Sequence, residues 1–304
     1  MSLTVIIPTY NRKDILKKCI NAIIRQTYLR SDYEVIIVDD GSTDGTEGMI
    51  SSTAHKSPVL LRYFKQDNKG PAAARNVGIK NANGRIFLFI GDDIIIPHNF
   101  LEEHMGWHRR YPDDNIAVLG YITWSPEIVI TPFMRWLENG GPQFSFCEIN
   151  DKVEVDGHKY FYSSNISLKK EFLLENKEFF DEEFPYAAFE DIELGYRLKK
   201  RGLILKYNKN AIAYHYHPTS LKSACLRMIR VGESSQILGE KMGGGHFYYS
   251  NKLFLRNSLR KIKFIIYYLL SKFYERRLIK KNIFGYVIGY YWCIGIERYK
   301  RQIK

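Results

Sequence analysis

The sequence predicts an α/β protein with a mostly parallel central sheet flanked by helices, followed by a basic, mainly helical C-terminal extension. Three observations carry this. Short apolar, β-branched runs alternate with helix-period segments over the first 120 residues, the pattern of strands covered on both faces. Acidic and turn-forming residues follow those runs directly. Residues 251–304 hold 14 Lys and Arg against two acids, Glu275 and Glu297, which gives +12, equal to the net charge of the whole 304-residue chain. The basic character therefore belongs to the C-terminal region.

TVIIPTY reads as the first strand, with Asn11 placed to cap the helix that follows. Ile15, Leu16, Cys19, Ile20, Ile23 and Ile24 make one apolar stripe along that helix. EVIIVDD reads as a second buried strand, and GSTDGT as a turn leading into a short helix. VLLRYF gives a third strand, residues 70–83 a helix, and RIFLFI a fourth strand. Residues 121–160 read as loops with short elements. SNISLKK follows as a strand running into a turn, and EDIELGYRLKKRG as a helix with acids first and bases last, matching the helix dipole. LILKYN and AIAYHYH read as two short strands, and from Leu221 the pattern is helical and basic.

Hydrophobic residues at 45% and charged residues at 26% exclude wholesale disorder. Cys19, Cys147, Cys225 and Cys293 are too scattered for a zinc finger or a disulfide scaffold, so reduced buried thiols are expected. The opening MSLTVIIPTYNR carries no signal-peptide pattern, and the apolar stretch Ile283–Ile296 is short of the roughly 20 residues a bilayer span needs. A cytoplasmic protein, peripheral on the inner face of the cell membrane, is expected.

In parallel sheets, ligands bind beyond the carboxyl ends of the strands. Pro8-Thr9-Tyr10-Asn11, Asp39-Asp40 and Asp92-Asp93 fall at such ends. Adjacent carboxylates repel unless a cation neutralises them, and hard oxygens suit Mg2+ or Mn2+. Taken alone, each pair is also ordinary turn chemistry; together they favour a metal–nucleotide site. Arg75 has the chemistry to bind a phosphate or to form a structural ion pair. Glu190 and Asp191 open a helix, where acids are favoured in any case; the functional reading is a general base. His215 and His217 share one face of an extended segment, where either can serve as a ligand. GxGxxG after the first strand and GxxxxGK[ST] anywhere are both missing, which disfavours dinucleotide folds and P-loop enzymes.

VIIPTYNR, VIIVDDGSTDGT, GPAAARNVGIKNANGRIFLFIGDD, SNISLKK, FDEEF, and FEDIELGYRLKKRG followed by AIAYHYH occur in this order over about residues 3–218. In that order they resemble the family 2 glycosyltransferases with the GT-A fold. The resemblance implies inverting transfer of a sugar from a nucleotide-sugar, a UDP-sugar first, to a saccharide or lipid-linked acceptor, with Mn2+ or Mg2+. It places Pro8, Thr9, Tyr10, Asn11, Asp39, Asp40, Arg75 and Asp92 around the nucleotide, and Asp93 on the metal with His215 or His217. It makes Asp191 the base, with Glu190 beside it. Gly91 stands where many members carry a third acid, and 121–160 follows no family pattern. The implied division is a nucleotide-sugar half about 1–120, an acceptor half about 121–220, and an extension 221–304.

A sugar nucleotidylyltransferase is the competing enzyme, but it calls for an N-terminal Gly-rich loop that PTYNRK lacks. A non-catalytic membrane adaptor is the competing non-enzyme. Lys and Arg flanking FIIYYLL and IFGYVIGYYWCIGI suit an anionic membrane surface, ahead of a homodimer contact. No nucleic-acid partner is expected, since no recognition module accompanies the charge.

Overall fold

A computed structural model describes residues 1–144, 146–149, 152–177, 179–243, 265, 267–269 and 282–302. Of the basic region 251–304, on which the membrane and dimer expectations rest, residues 251–264, 266, 270–281 and 303–304 lie outside the described residues. The chain divides into two compact units, one of residues 1–128 with 149–217 and one of residues 129–148 with 218–304. Segment 129–148, expected in the acceptor half, thus groups with the C-terminal helices.

The first unit is built on a nine-stranded sheet with the order β3-β2-β1-β4-β8-β6-β9-β5, with β7 also on β9. The strands are β1 Leu3–Thr9, β2 Tyr33–Asp39, β3 Leu60–Lys65, β4 Ile86–Ile90, β5 Ile94–Ile95, β6 Ile116–Trp124, β7 Glu154–Val155, β8 Asn165–Lys169 and β9 Ile204–His215. The helices of this unit are α1 Lys13–Ile23, α2 Thr46–Ala54, α3 Pro71–Asn81, α4 Phe100–Arg110, α6 Gly157–Tyr160, α7 Lys170–Glu175 and α8 Glu190–Lys200; α5 Pro132–Glu138 falls in the second unit. The sheet is parallel across β3, β2, β1 and β4, as expected. Beyond β4 it is mixed: β8 is antiparallel to both β4 and β6, and β6 pairs parallel with β9.

The apolar runs become strands because the side chains on both faces are covered. Val5, Ile6 and Ile7 of β1, Val35 to Val38 of β2 and Phe87 to Ile90 of β4 are all buried. Leu16, Cys19, Ile20 and Ile23 of α1 form the buried stripe, with Ile15 and Ile24 at its margin. Small residues bring α3 close to the sheet: Ala72, Ala73 and Ala74 are buried, and a Cβ on Gly78 would lie 2.4 Å from Ile6 Cγ2.

Three expectations are corrected. Asn11 does not cap α1. Its backbone is left-handed (φ 51°) and Arg12 takes the N-cap position without a side-chain cap bond. Capping comes from the loop after β2, where Asp44 Oδ2 accepts from Lys13 N at 2.8 Å and Ser42 Oγ from Asn11 N at 2.8 Å; this satisfies amides that a helix start leaves without internal partners. LILKYN and AIAYHYH are one twelve-residue strand, β9, with an irregularity opposite Gly120/Tyr121 where its pairing with β6 shifts. Cys19, Cys225 and Cys293 are buried thiols as expected, whereas Cys147 is exposed.

A polar layer beneath β8 fixes the mixed half of the sheet. Asn165 Nδ2 donates to the carbonyls of Tyr121 and Ala211 (3.1 and 2.8 Å), leaving Oδ1 to accept from His104 Nε2 at 2.9 Å. His104 Nδ1 then accepts from Ser167 Oγ (2.8 Å), which accepts in turn from His108 Nε2 (2.8 Å). Burial keeps both rings neutral, lowering their pKa values to about 4 for His104 and about 3 for His108.

In the second unit, α9 spans Leu221–Lys241 and α10 spans Asn282–Gln302. Ser220 and Ser223 form a reciprocal capping box at the start of α9. The two helices approach so closely that a Cβ on Gly295 would lie 1.9 Å from the Ile229 carbonyl oxygen. Phe284 packs edge-on against Phe133 of α5, with ring centres 5.1 Å apart. Among the described residues, no helix is long and apolar enough to cross a membrane.

Candidate active site

The register brings five chain segments to one edge of the sheet. β1, β2 and β4 run parallel, so Thr9, Asp39-Asp40 and Gly91-Asp92-Asp93 emerge on the same side. β8 runs the other way and pairs Asn165 with Ile90, so residues just before β8 lie beside those just after β4. β9 ends at His215, which pairs with Ile94.

Asp92 and Asp93 are only 5% and 8% exposed. Asp92 Oδ2 accepts from Thr9 Oγ1 at 2.8 Å and Asp92 Oδ1 from Arg12 Nη1 at 2.7 Å. Asp93 Oδ2 lies 3.1 Å from His215 Nε2, 3.5 Å from His217 Nδ1 and 3.0 Å from Arg12 Nη1. Burial pushes Asp92 up to about 6, helped by the charge of Asp93 and opposed by Arg12. Burial also pushes Asp93 up, but the charge and hydrogen bond of His215, with the charge of Arg12, outweigh it and hold that carboxyl well below the usual range. The rings of His215 and His217 stack 5.5 Å apart, and Trp124 stacks on His215 at 5.3 Å. Asp93, His215 and His217 each offer one ligand atom, all within 4.8 Å of one another. One carboxylate and two imidazoles fit a divalent ion, Mn2+ better than the oxygen-seeking Mg2+.

Asp39 and Asp40 shape the neighbouring wall. Asp39 accepts from Ser42 N (2.7 Å) and Tyr63 Oη (2.7 Å). Asp40 Oδ1 accepts from Gln66 Nε2 and Lys69 N, and its Oδ2 from Gly70 N at 2.9 Å. Both carboxylates therefore pin the loops that border the strand ends. Asn11 Oδ1 accepts from Thr43 N at 2.8 Å. Pro8 lies within β1 opposite Val38, and Tyr10 is 46% exposed beside these groups.

Glu190 and Asp191 start α8, and the left-handed backbone of Phe189 before them (φ 72°) is one that a bulky residue rarely adopts. The two acids differ sharply. Glu190 is 2% exposed and accepts from Arg75 Nη1 at 2.8 Å. Burial and the charge of Asp191 push its pKa up to about 7 against the pull of Arg75. Asp191 is half-buried; its Oδ2 accepts from Ser163 N (3.1 Å) and Ser163 Oγ (3.3 Å), and its Oδ1 from Ile192 N (2.8 Å). Burial raises the Asp191 pKa, while Arg75 and these hydrogen bonds oppose the rise. Arg75 also lies over the Phe180 ring at 5.2 Å.

Two residues of this site escape sequence reasoning. Arg12 carries no spacing signature, although it directly follows the PTYN run. Ser163 lies in SSN, whose meaning depends on the β4–β8 register.

Residues 4–123 match the model of glycosyl transferase family 2. An uncharacterised glycosyltransferase of Bacillus subtilis, YfnE, is 25% identical over 269 residues, covering 73% of this chain and 67% of its own. An Escherichia coli chondroitin synthase is 26% identical over 295 residues, 88% of this chain, which spans only 42% of that enzyme's length. Two solved structures share the fold. S. aureus TarS 1–349 in complex with UDP has TM-score 0.59 and 20% identity, with 100% of this chain and 92% of that one covered. The Pyrobaculum calidifontis mannosyltransferase PcManGT, in complex with GDP-Man and Mn2+, has TM-score 0.68 and 18% identity, with 99% and 88% covered. Residues 4–123 are thus similar to glycosyl transferase family 2, and the chain shares the GT-A-type fold of these two solved structures.

Proposed function

We propose that the chain transfers a sugar from a nucleotide-sugar, with inversion, to a hydroxyl of a saccharide or lipid-linked acceptor. The observation that carries this reading is the convergence at one sheet edge of a carboxylate–imidazole cluster and a separate, half-buried carboxylate. Asp93, His215 and His217 would hold the divalent ion, whose chemistry when bound is to neutralise charge on a departing diphosphate. Asp191 takes the proton of the attacking hydroxyl. It is the accessible acid of its pair and keeps a lone pair on Oδ1 beyond the bond from Ile192 N. Glu190 is occupied with Arg75 and sealed from solvent, so its part is to hold that guanidinium.

Asp39, Asp40, Thr9, Asn11, Pro8, Tyr10 and Asp92 form the nucleoside side of the cleft, chiefly by fixing the loops after β1 and β2. UDP is the first nucleotide to try, since TarS and the mannosyltransferase were solved with UDP and GDP-Man, respectively. Attack opposite the leaving group inverts the anomeric centre in one displacement and needs no covalent nucleophile. A role in cell-surface polysaccharide synthesis, with basic residues 251–304 resting on the cytoplasmic membrane face, is part of the same proposal.

Incubation with UDP-, GDP- and dTDP-sugars tests this reading. Nucleoside diphosphate release should depend on Mn2+, and Asp93→Asn should weaken the Mn2+ requirement constant by at least about tenfold. Release that is indifferent to Mn2+ and to Asp93→Asn would overturn the metal assignment.

A further inference from the structure

Two adjacent carboxylates as buried as Asp92 and Asp93 need a counter-charge. Arg12 supplies it, with Nη1 on both carboxylates and Nη2 2.6 Å from His217 Nδ1. Asp93 Oδ2 and His217 Nδ1 are therefore used twice. They accept from the guanidinium, and they belong to two of the three side chains that the Asp93–His215–His217 cluster offers a cation. A metal ion needs the same lone pairs that an N–H bond occupies. Arginine does not give up its proton, so ion binding must move the guanidinium rather than deprotonate it. The arginine can move: its side chain is 32% exposed, against 7% and 12% for the two aspartates. It also stands at the very start of α1, on a flexible stem.

We propose that Arg12 is a competing cation built into the metal site: guanidinium and divalent ion draw on Asp93 Oδ2 and His217 Nδ1 in mutually exclusive arrangements. This rests on the metal-site reading above. A displaced guanidinium beside the site is a ready partner for the diphosphate of the donor. Arg12 therefore weakens the ion when it binds alone and strengthens it when nucleotide diphosphate is present, a coupling that is reciprocal. It makes the site take ion and donor together.

The test is direct Mn2+ titration of the full chain by electron paramagnetic resonance, with and without UDP. Without nucleotide, Arg12→Gln should bind Mn2+ at least about tenfold more tightly than wild type, because a unit positive charge a few ångströms from the ion is gone. With UDP the advantage should shrink or reverse. Arg12→Lys, which keeps the charge but not the fork, should fall between the two. A larger Mn2+-induced rise in Tm for Arg12→Gln than for wild type gives the same answer where the metal-free variant folds poorly. Equal or weaker Mn2+ binding by folded Arg12→Gln, while Asp93→Asn loses Mn2+, would overturn the competition and leave the metal site standing. Unchanged Mn2+ binding in Asp93→Asn would remove both.

Discussion

Glu190 offers a quantitative handle on the site. Its carboxyl is 2% exposed, and its Oε2, like Arg75 Nε, has no hydrogen-bond partner among the described residues. Its pKa stands at about 7 in the fold against an ordinary 4.5. The folded state thus binds this proton more tightly than the unfolded chain does, so the group costs stability as pH rises from 4.5 and the cost levels off above 7. At 1.36 kcal/mol per unit, ionisation costs about 3 kcal/mol in all, of which about 2 kcal/mol falls between pH 5 and 8. Glu190→Gln keeps an acceptor for Arg75 and cannot ionise. Its stability relative to wild type should grow by that amount over the interval, about 4–8 °C in Tm at 2–4 °C per kcal/mol. The assay is a melting series at pH 5, 6, 7 and 8 on both proteins; their difference cancels the contribution of Asp92, while Asp191, whose charge acts on Glu190, titrates with it as a pair. Parallel curves would refute the argument and mean that Arg75 fully compensates the buried charge.

Two further substitutions probe the frame. Gly78→Ala places a methyl group against Ile6 and should cost about 1–3 kcal/mol by urea denaturation; an unchanged midpoint would mean that α3 does not lie this close to β1. Ser163→Ala removes a hydrogen bond that favours the ionised form of Asp191, so the acid limb of the kcat/KM profile should move to higher pH. An unmoved limb would show that Ser163 does not act on the base.

The parallel half of the sheet is legible because its strands are buried on both faces and announce themselves as continuous apolar runs. The mixed half is not. α4 hides because His104 and His108, four residues apart, face inward and read as polar; their burial becomes intelligible only through Ser167 and Asn165. β9 reads as two strands because Asn208, Lys209 and Asn210 interrupt it, yet Asn208 is buried and donates to Glu103. The acids of the site are visible because they sit at strand ends. What joins them is not visible: the β4–β8 register that places Ser163, and the reach of Arg12 across eighty residues to Asp92.

The central claim is that Asp191 removes the acceptor proton while the rest of the edge binds the donor. The most direct measurement pairs calorimetric titration of the nucleotide-sugar with steady-state turnover for wild type and Asp191→Asn. An unchanged donor Kd with kcat lower by about 10²–10⁴-fold is the expected result. Turnover near that of the wild type in Asp191→Asn would contradict the account.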